Sequence, residues 1–330
     1  MSKDLEFEQL GFPTKGMYEF PNIINVEVYA GDCPCSCVHC PVGTTEPRKR
    51  KEVFGNKGID LELYKKIISE ITEHSHSTLR VHSAGEPLIW ENLVEALEFS
   101  RNSNVSSWIF TSAVTGNMSL LEAVCENADI VEVSVNSITS KDYKATKGID
   151  AFAKVAENIE YMHNFIGKNK IPSRLIVSRV QSLDKTADEE FVKYWKSTGL
   201  VDDAFVRTYH TYNDIIAELD TGQKQSKHEA CLVHWARFSI SVDGYAVVCF
   251  NELFKPELNP GLILGDINKQ TIAEIWHGPK LSSIREAELS GNYSKVFDGI
   301  PCKNCYSCQP LNGTGKTSEN QIRQLRPNNE

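Results

Sequence analysis

No run in the 330 residues is long and apolar enough to cross a bilayer, and the opening stretch MSKDLEFEQLGF lacks the apolar core of a secretory signal. A membrane-embedded role is therefore excluded and a cytoplasmic location is expected. Positive charge is also short: 35 Lys and Arg stand against 44 Asp and Glu, a formal net charge of −9. That balance argues against general binding of nucleic acid or anionic membrane surfaces. The one basic run, Arg48 to Lys51, reads as a solvated loop. No internal repeat is present beyond an alternation of strand and helix patterns.

What is present is enough apolar residue, 41% of the chain, to bury a core, and ten cysteines. In a reducing compartment clustered cysteines read as metal-binding or catalytic rather than as a disulfide framework. The length suggests two domains, or one large barrel with an appendage. From about residue 23 to 208, β-rich runs such as IINVEVY, TLRVHS, SWIFTS, DIVEVSVNS, SRLIVSRV and AFVRTY alternate with helical patterns. In DLELYKKIISEI, residues Leu61, Tyr64, Ile67, Ile68 and Ile71 share one helical face. Six β/α units imply a parallel sheet, either curled into a partial (β/α)6 TIM-like barrel or spread as an open doubly wound sheet. Ligands gather at the carboxyl ends of the strands in both.

The pattern breaks near residue 215. ELDTGQKQSKHEA reads as a linker, RFSISVDGYAVVCF as a hairpin turning at Asp243-Gly244, and TIAEIWHGPKLSSIREAEL as a helix or broken helix. The expected division is an N-terminal extension 1–22, a barrel 23–215, a small C-terminal hairpin-plus-helix domain 216–310 and a disordered tail 311–330.

The stretch GDCPCSCVHCPVG follows the first strand and so lies on the ligand-binding face. Its four thiols could close a four-ligand metal site. Alternatively, Cys33-x3-Cys37-x2-Cys40 lets one loop wrap three corners of a cubane cluster and leaves the fourth iron open, as catalysis requires. An extended loop would point Cys35 away from a shared centre, leaving it a spare thiol. The isolated Cys125 reads as a small buried hydrophobe.

The triad and its position resemble those of radical S-adenosylmethionine enzymes. The resemblance implies a partial barrel, a 4Fe-4S cluster on Cys33, Cys37 and Cys40, and S-adenosylmethionine chelated at the open iron. It also implies cofactor contacts from the strand-ending run Gly85, Glu86 and Pro87, from Ser134 and Asn136, and from Lys147, which stands where many members carry Arg. Two features depart from the family pattern: His39 replaces an aromatic before the third cysteine, and Thr111-Ser112-Ala113 replaces a TNG-like turn.

Cys231 and Cys249, brought together by the hairpin, with Cys302 and Cys305 after a helix, resemble the auxiliary-cluster extension called SPASM or, shortened, twitch. The resemblance implies one auxiliary 4Fe-4S cluster, with Cys308 a substitute for Cys305; a structural zinc fits four thiolates equally well. His82, His210 and His234 are candidates to enter the site, but a lone histidine is more often a satisfied polar residue, so no base is assigned among them.

The expected function is hydrogen abstraction from a small polar substrate, such as oxidation of a secondary alcohol of a sugar or aminocyclitol. The compact single-cluster tail resembles that of aminocyclitol dehydrogenases, which implies this oxidation, and only about two dozen residues precede the first strand, where many peptide-modifying relatives carry a leader-recognition domain. A flavodoxin or ferredoxin would supply electrons. A peptide-modifying enzyme, an epimerase and, remotely, a non-catalytic iron–sulfur or zinc scaffold are the alternatives.

Overall fold

The computed structural model of the chain describes residues 19–212, 215–217, 230–293 and 302. The elements run β1 (Ile23–Ala30), α1 (Pro41–Thr44), α2 (Arg50–Phe54), β2 (Lys57–Gly58), α3 (Leu61–Thr72), β3 (Thr78–Ala84), α4 (Leu93–Asn102), β4 (Ser106–Thr111) and α5 (Met118–Asn127). They continue with β5 (Ile130–Ser134), α6 (Ser140–Lys147), α7 (Phe152–Asn169), β6 (Arg174–Val180), α8 (Lys185–Thr198) and β7 (Asp203–Arg207). Six of these strands, β1 and β3 to β7, pair in parallel in chain order, as six right-handed βα units require. The fold is the partial (β/α)6 barrel.

Local chemistry sets the helix ends. The Asp60 side chain accepts from Leu63 N and starts α3, and Thr139 caps α6 in the same way. Gly148 and Gly199 stop α6 and α8 in the left-handed region, where a side chain is strained. On α3 the predicted stripe Tyr64, Ile67, Ile68 and Ile71 is fully buried in the apolar core that also holds Ile24, Val26 and Val28 of β1. Truncating one of these isoleucines to alanine costs about 2–5 kcal/mol.

The opposite faces of the strands make a different interior. Trp108, Ile130, Ile176 and Phe205 close it at one depth. Beyond them the inner face turns polar: the Arg207 guanidinium binds both oxygens of Glu132, and Arg80 and Arg207 lie 4.4 and 5.1 Å from the centre of the Phe110 ring.

The C-terminal region contains α9 (Leu232–Ala236), β8 (Arg237–Ile240), β9 (Tyr245–Val247), β10 (Ile263–Asp266), α10 (Ile272–Trp276) and α11 (Pro279–Ser290). The hairpin turns at Gly244, φ +86°, and the long helical pattern is broken at Gly278-Pro279. Strand β10 has no counterpart in the sequence reading. Nor does the sheet stop at the barrel: β8 runs parallel beside β1, pairing residues 23–26 with 237–240, so the hairpin prolongs the barrel's own sheet. The linker 218–229, the last two expected auxiliary cysteines Cys305 and Cys308, and the tail lie outside the described residues.

Candidate active site

The loop after β1 is buttoned to the end of β3. Gly31 N donates to Ala84 O at 2.9 Å and Glu86 N to Asp32 O at 3.0 Å. A Cβ at Gly85 would come within 2.6 Å of Asp32 O, so only glycine permits this approach. The same loop is gripped from two further sides. Arg50, 1% exposed, donates to Cys33 O at 2.6 Å, Ser36 Oγ at 2.7 Å and Thr45 O at 3.1 Å. From α6, Lys147 O accepts from Ser36 N at 2.7 Å and Thr146 O from Val38 N at 3.1 Å. The solvated reading of the basic run therefore suits Arg48, Lys49 and Lys51 and fails for Arg50, which organises the cysteine loop from inside.

Pinned in this way, the loop curls instead of extending, and that corrects the reading of Cys35. Its thiol is buried and lies between those of Cys33 and Cys37, within reach of Ser112 and Tyr143. Contacts with Cys33 and Cys37 lower the Cys35 pKa, while contact with Cys35 and then burial raise those of its two neighbours. Burial, relieved by the Gly43 and Val42 amides, raises Cys40 as well. Lys147, 2% exposed, is the compensating charge. Burial works against its protonation, but Cys37, Cys35, Cys33 and Glu86 outweigh it and raise its pKa. Its Nζ donates to Ser134 Oγ at 3.1 Å.

Glu86 has a different position from the one its motif suggests. It is 3% exposed, and its carboxylate accepts from Thr111 Oγ1 at 2.6 Å, Ser112 N at 2.8 Å and Ser112 Oγ at 2.5 Å. Burial raises its pKa and these three bonds lower it. It thus ties the end of β3 to the end of β4, with Pro87 opening a 3-10 turn behind it. Thr111 and Ser112 were flagged in sequence only as a departure; their role as Glu86 donors carries no sequence signal. Asn136, φ +64°, accepts from Val180 N at 2.6 Å and turns its amide nitrogen toward His39 Nε2 at 3.4 Å. Arg179 holds that bend by donating to Asn136 O at 2.7 Å. Cys33, Cys35, Cys37, Cys40, Glu86, Ser134, Asn136 and Lys147 are thereby gathered at the carboxyl ends of the barrel strands.

In the second set, Cys231 stands at the start of α9 and Cys249 just after β9. Glu288 of α11 links this region: it accepts from Cys231 N at 3.1 Å, His234 Nδ1 at 2.7 Å and Trp235 Nε1 at 2.7 Å. His234 Nε2 in turn lies 3.8 Å from Cys302 Sγ. Cys302 packs beside Val248, the residue before Cys249.

The donor set suits an iron–sulfur group. Several soft thiols are held together on a rigid loop, with a buried ammonium beside them to offset the anionic charge of a cluster. Cys33, Cys37 and Cys40 would hold it, with Lys147 and Ser134 nearby.

Residues 231–309 match the SPASM family, an iron–sulfur cluster-binding domain. The chain is 24% identical over 287 residues to the S-adenosyl-L-methionine-dependent 2-deoxy-scyllo-inosamine dehydrogenase of Niallia circulans, covering 86% of this chain and 92% of that one. Among solved structures, BtrN in complex with AdoMet and 2-DOIA is similar with a TM-score of 0.52 at 18% identity, over 86% of this chain and 92% of that one. The structure of anSMEcpe with bound AdoMet and Cp18Cys peptide is similar with a TM-score of 0.60 at 14% identity, over 92% and 94%. The fold and the cysteine loop resemble those of radical S-adenosylmethionine proteins, and residues 231–309 are of the SPASM type. The matched domain is one that binds an iron–sulfur cluster, and the similar solved structures hold AdoMet.

Proposed function

We propose that the protein oxidises a secondary alcohol of a small polar substrate, with Cys33, Cys37 and Cys40 holding the first cluster. The observation that supports this reading is the nearly end-to-end likeness to an aminocyclitol dehydrogenase. The polar upper interior of the barrel, with Arg207 and Glu132 inside it, agrees.

When bound, the first cluster with S-adenosylmethionine would supply a 5′-deoxyadenosyl radical for hydrogen abstraction, and an auxiliary cluster would be the acceptor for the second electron. The hydroxyl proton leaves to solvent, so the alcohol becomes a ketone by loss of two hydrogens. The chain's own part is positional. Lys147 and Ser134 would face the cofactor's carboxylate, Glu86 fixes the β3 and β4 ends that would receive its amine, and Asn136 shapes the turn beside them. Cys231, Cys249, Cys302 and Cys305 would hold the auxiliary group. A flavodoxin or ferredoxin supplies the reducing electron.

Peptide modification is the second reading, supported by the fold likeness to a peptide-bound structure. The test is product mass after anaerobic turnover with a carbon-deuterated alcohol. Dehydrogenation gives deuterium in 5′-deoxyadenosine, one S-adenosylmethionine consumed per product and a ketone without the transferred deuterium. A product that regains a hydrogen indicates epimerisation, and a modified peptide overturns the small-molecule reading.

A further inference from the structure

Two histidines of the barrel mouth have no task in the function just described. His82 projects from β3 and His210 follows β7. Both rings stand edge-on to the same side chain, Phe250, at centroid distances of 6.4 and 5.4 Å and interplanar angles of 88° and 89°. Phe254 lies parallel to His82 at 6.2 Å and packs at 4.8 Å from Tyr212. Phe250 and Tyr212 belong to the same apolar cluster as Cys33 and Cys40, so this aromatic floor adjoins the first cysteine loop. In each imidazole one ring nitrogen, His82 Nε2 and His210 Nδ1, is buried with no hydrogen-bond partner among the described residues.

We propose that His82 and His210 hold two hydroxyl groups of a polyhydroxylated ring substrate, whose carbon face lies on Phe250. This rests on the alcohol-oxidising reading above and names the residues that recognise its substrate.

The chemistry fits at three points. Burying a polar nitrogen without a partner is unfavourable, and a hydroxyl, which both donates and accepts, satisfies an imidazole in either tautomer. Burial pushes the His82 pKa down to about 3 and that of His210 to about 4, with nearby arginines adding to the effect, so both rings are neutral near pH 7. Neutral rings with so little basicity position a hydroxyl and do not carry off its proton. Finally, sugars and cyclitols present polar groups around the edge and C–H groups on the face. That pattern matches hydrogen-bonding nitrogens set around an aromatic floor.

The test is saturation-transfer NMR on the full-length holoprotein, kept anaerobic, with myo-inositol, scyllo-inositol and glucose as probes and the tripeptide Ala-Cys-Ala as the contrast. At least one of the three polyols should bind, with saturation passing from aromatic protons to its ring protons. His82→Leu and His210→Leu should each weaken that binding about tenfold, and the glutamine variants should stay within about threefold of wild type because an amide keeps the hydrogen bond. Phe250→Leu should weaken it while leaving both imidazoles in place. Iron content and far-UV circular dichroism identify any variant that fails to fold, in which case the glutamine pair and Phe250→Leu decide.

The inference is overturned if no polyol binds, if leucine variants bind like wild type, or if the tripeptide alone shows histidine-dependent binding. Binding needs no S-adenosylmethionine cleavage. Retained polyol binding with no cleavage counts against the radical reading alone, and retained cleavage with no polyol binding counts against this inference alone.

Discussion

Cys35 shows how one side chain can change the reading of a motif. Counting residues makes it a bystander to Cys33, Cys37 and Cys40; the curled loop puts it among them, 1% exposed. It remains outside the three-thiolate assignment, and that assignment has a direct consequence. Alanine at Cys33, Cys37 or Cys40 should abolish 5′-deoxyadenosine formation and remove the first cluster's iron. Cys35→Ala should keep most of both, with an altered visible absorption spectrum because the thiol's place beside Lys147 and Ser112 is lost. Loss of all iron from the first site in Cys35→Ala alone would make it a ligand. The loop's position after β1 was legible from the order of the sequence. Arg50 was not, because a run of four basic residues gives no hint of which one turns inward to bind four oxygens of the chain. Nor was the Glu86 clasp, since its partners Thr111 and Ser112 are 25 and 26 residues away.

At the scale of elements, the strands and helices of the barrel were readable from their periodicity, and the break at Gly278-Pro279 from its breaker residues. The parallel pairing of β8 with β1 was not, since nothing local specifies a partner 214 residues distant. Glu27 marks that seam. It lies on β1, 3% exposed, accepts from Val242 N beyond β8 at 2.9 Å, and burial pushes its pKa from 4.5 up to about 8. A carboxyl raised on folding binds its proton more tightly in the native state. Its contribution to stability is therefore complete below about pH 4.5 and is lost as pH rises through about 8. Wild-type melting temperature should fall across this window by an amount equivalent to a few kcal/mol, on the order set by the shift. Glu27→Gln, neutral at every pH, should flatten the profile and match or exceed wild type above pH 8. Thermal denaturation at a series of pH values checks both, and parallel profiles for the two proteins would rule out Glu27 as the cause.

For the whole molecule, two cysteine sets on one fold predict two separable iron inventories. Reconstituted protein should hold about eight irons as two cubanes. The variant with Cys33, Cys37 and Cys40 all changed to alanine should retain about half, with the remainder lost on replacing Cys231 and Cys249. Elemental analysis distinguishes this from a structural zinc, which would appear as tightly bound zinc with only about four irons.

The shared sheet also sets an order of events during synthesis. When residues 23–26 leave the ribosome, one flank can be covered as soon as β3 emerges, but the other waits for residues 237–240. Over most of translation the nascent barrel thus presents an open strand of IINV, apolar enough to recruit another chain. Pairing at such a sequence separation is slow to form. The C-terminal region is in this respect a closing device for the barrel as well as a cluster carrier. A chain cut before residue 237 should enter inclusion bodies rather than accumulate as a half-active barrel.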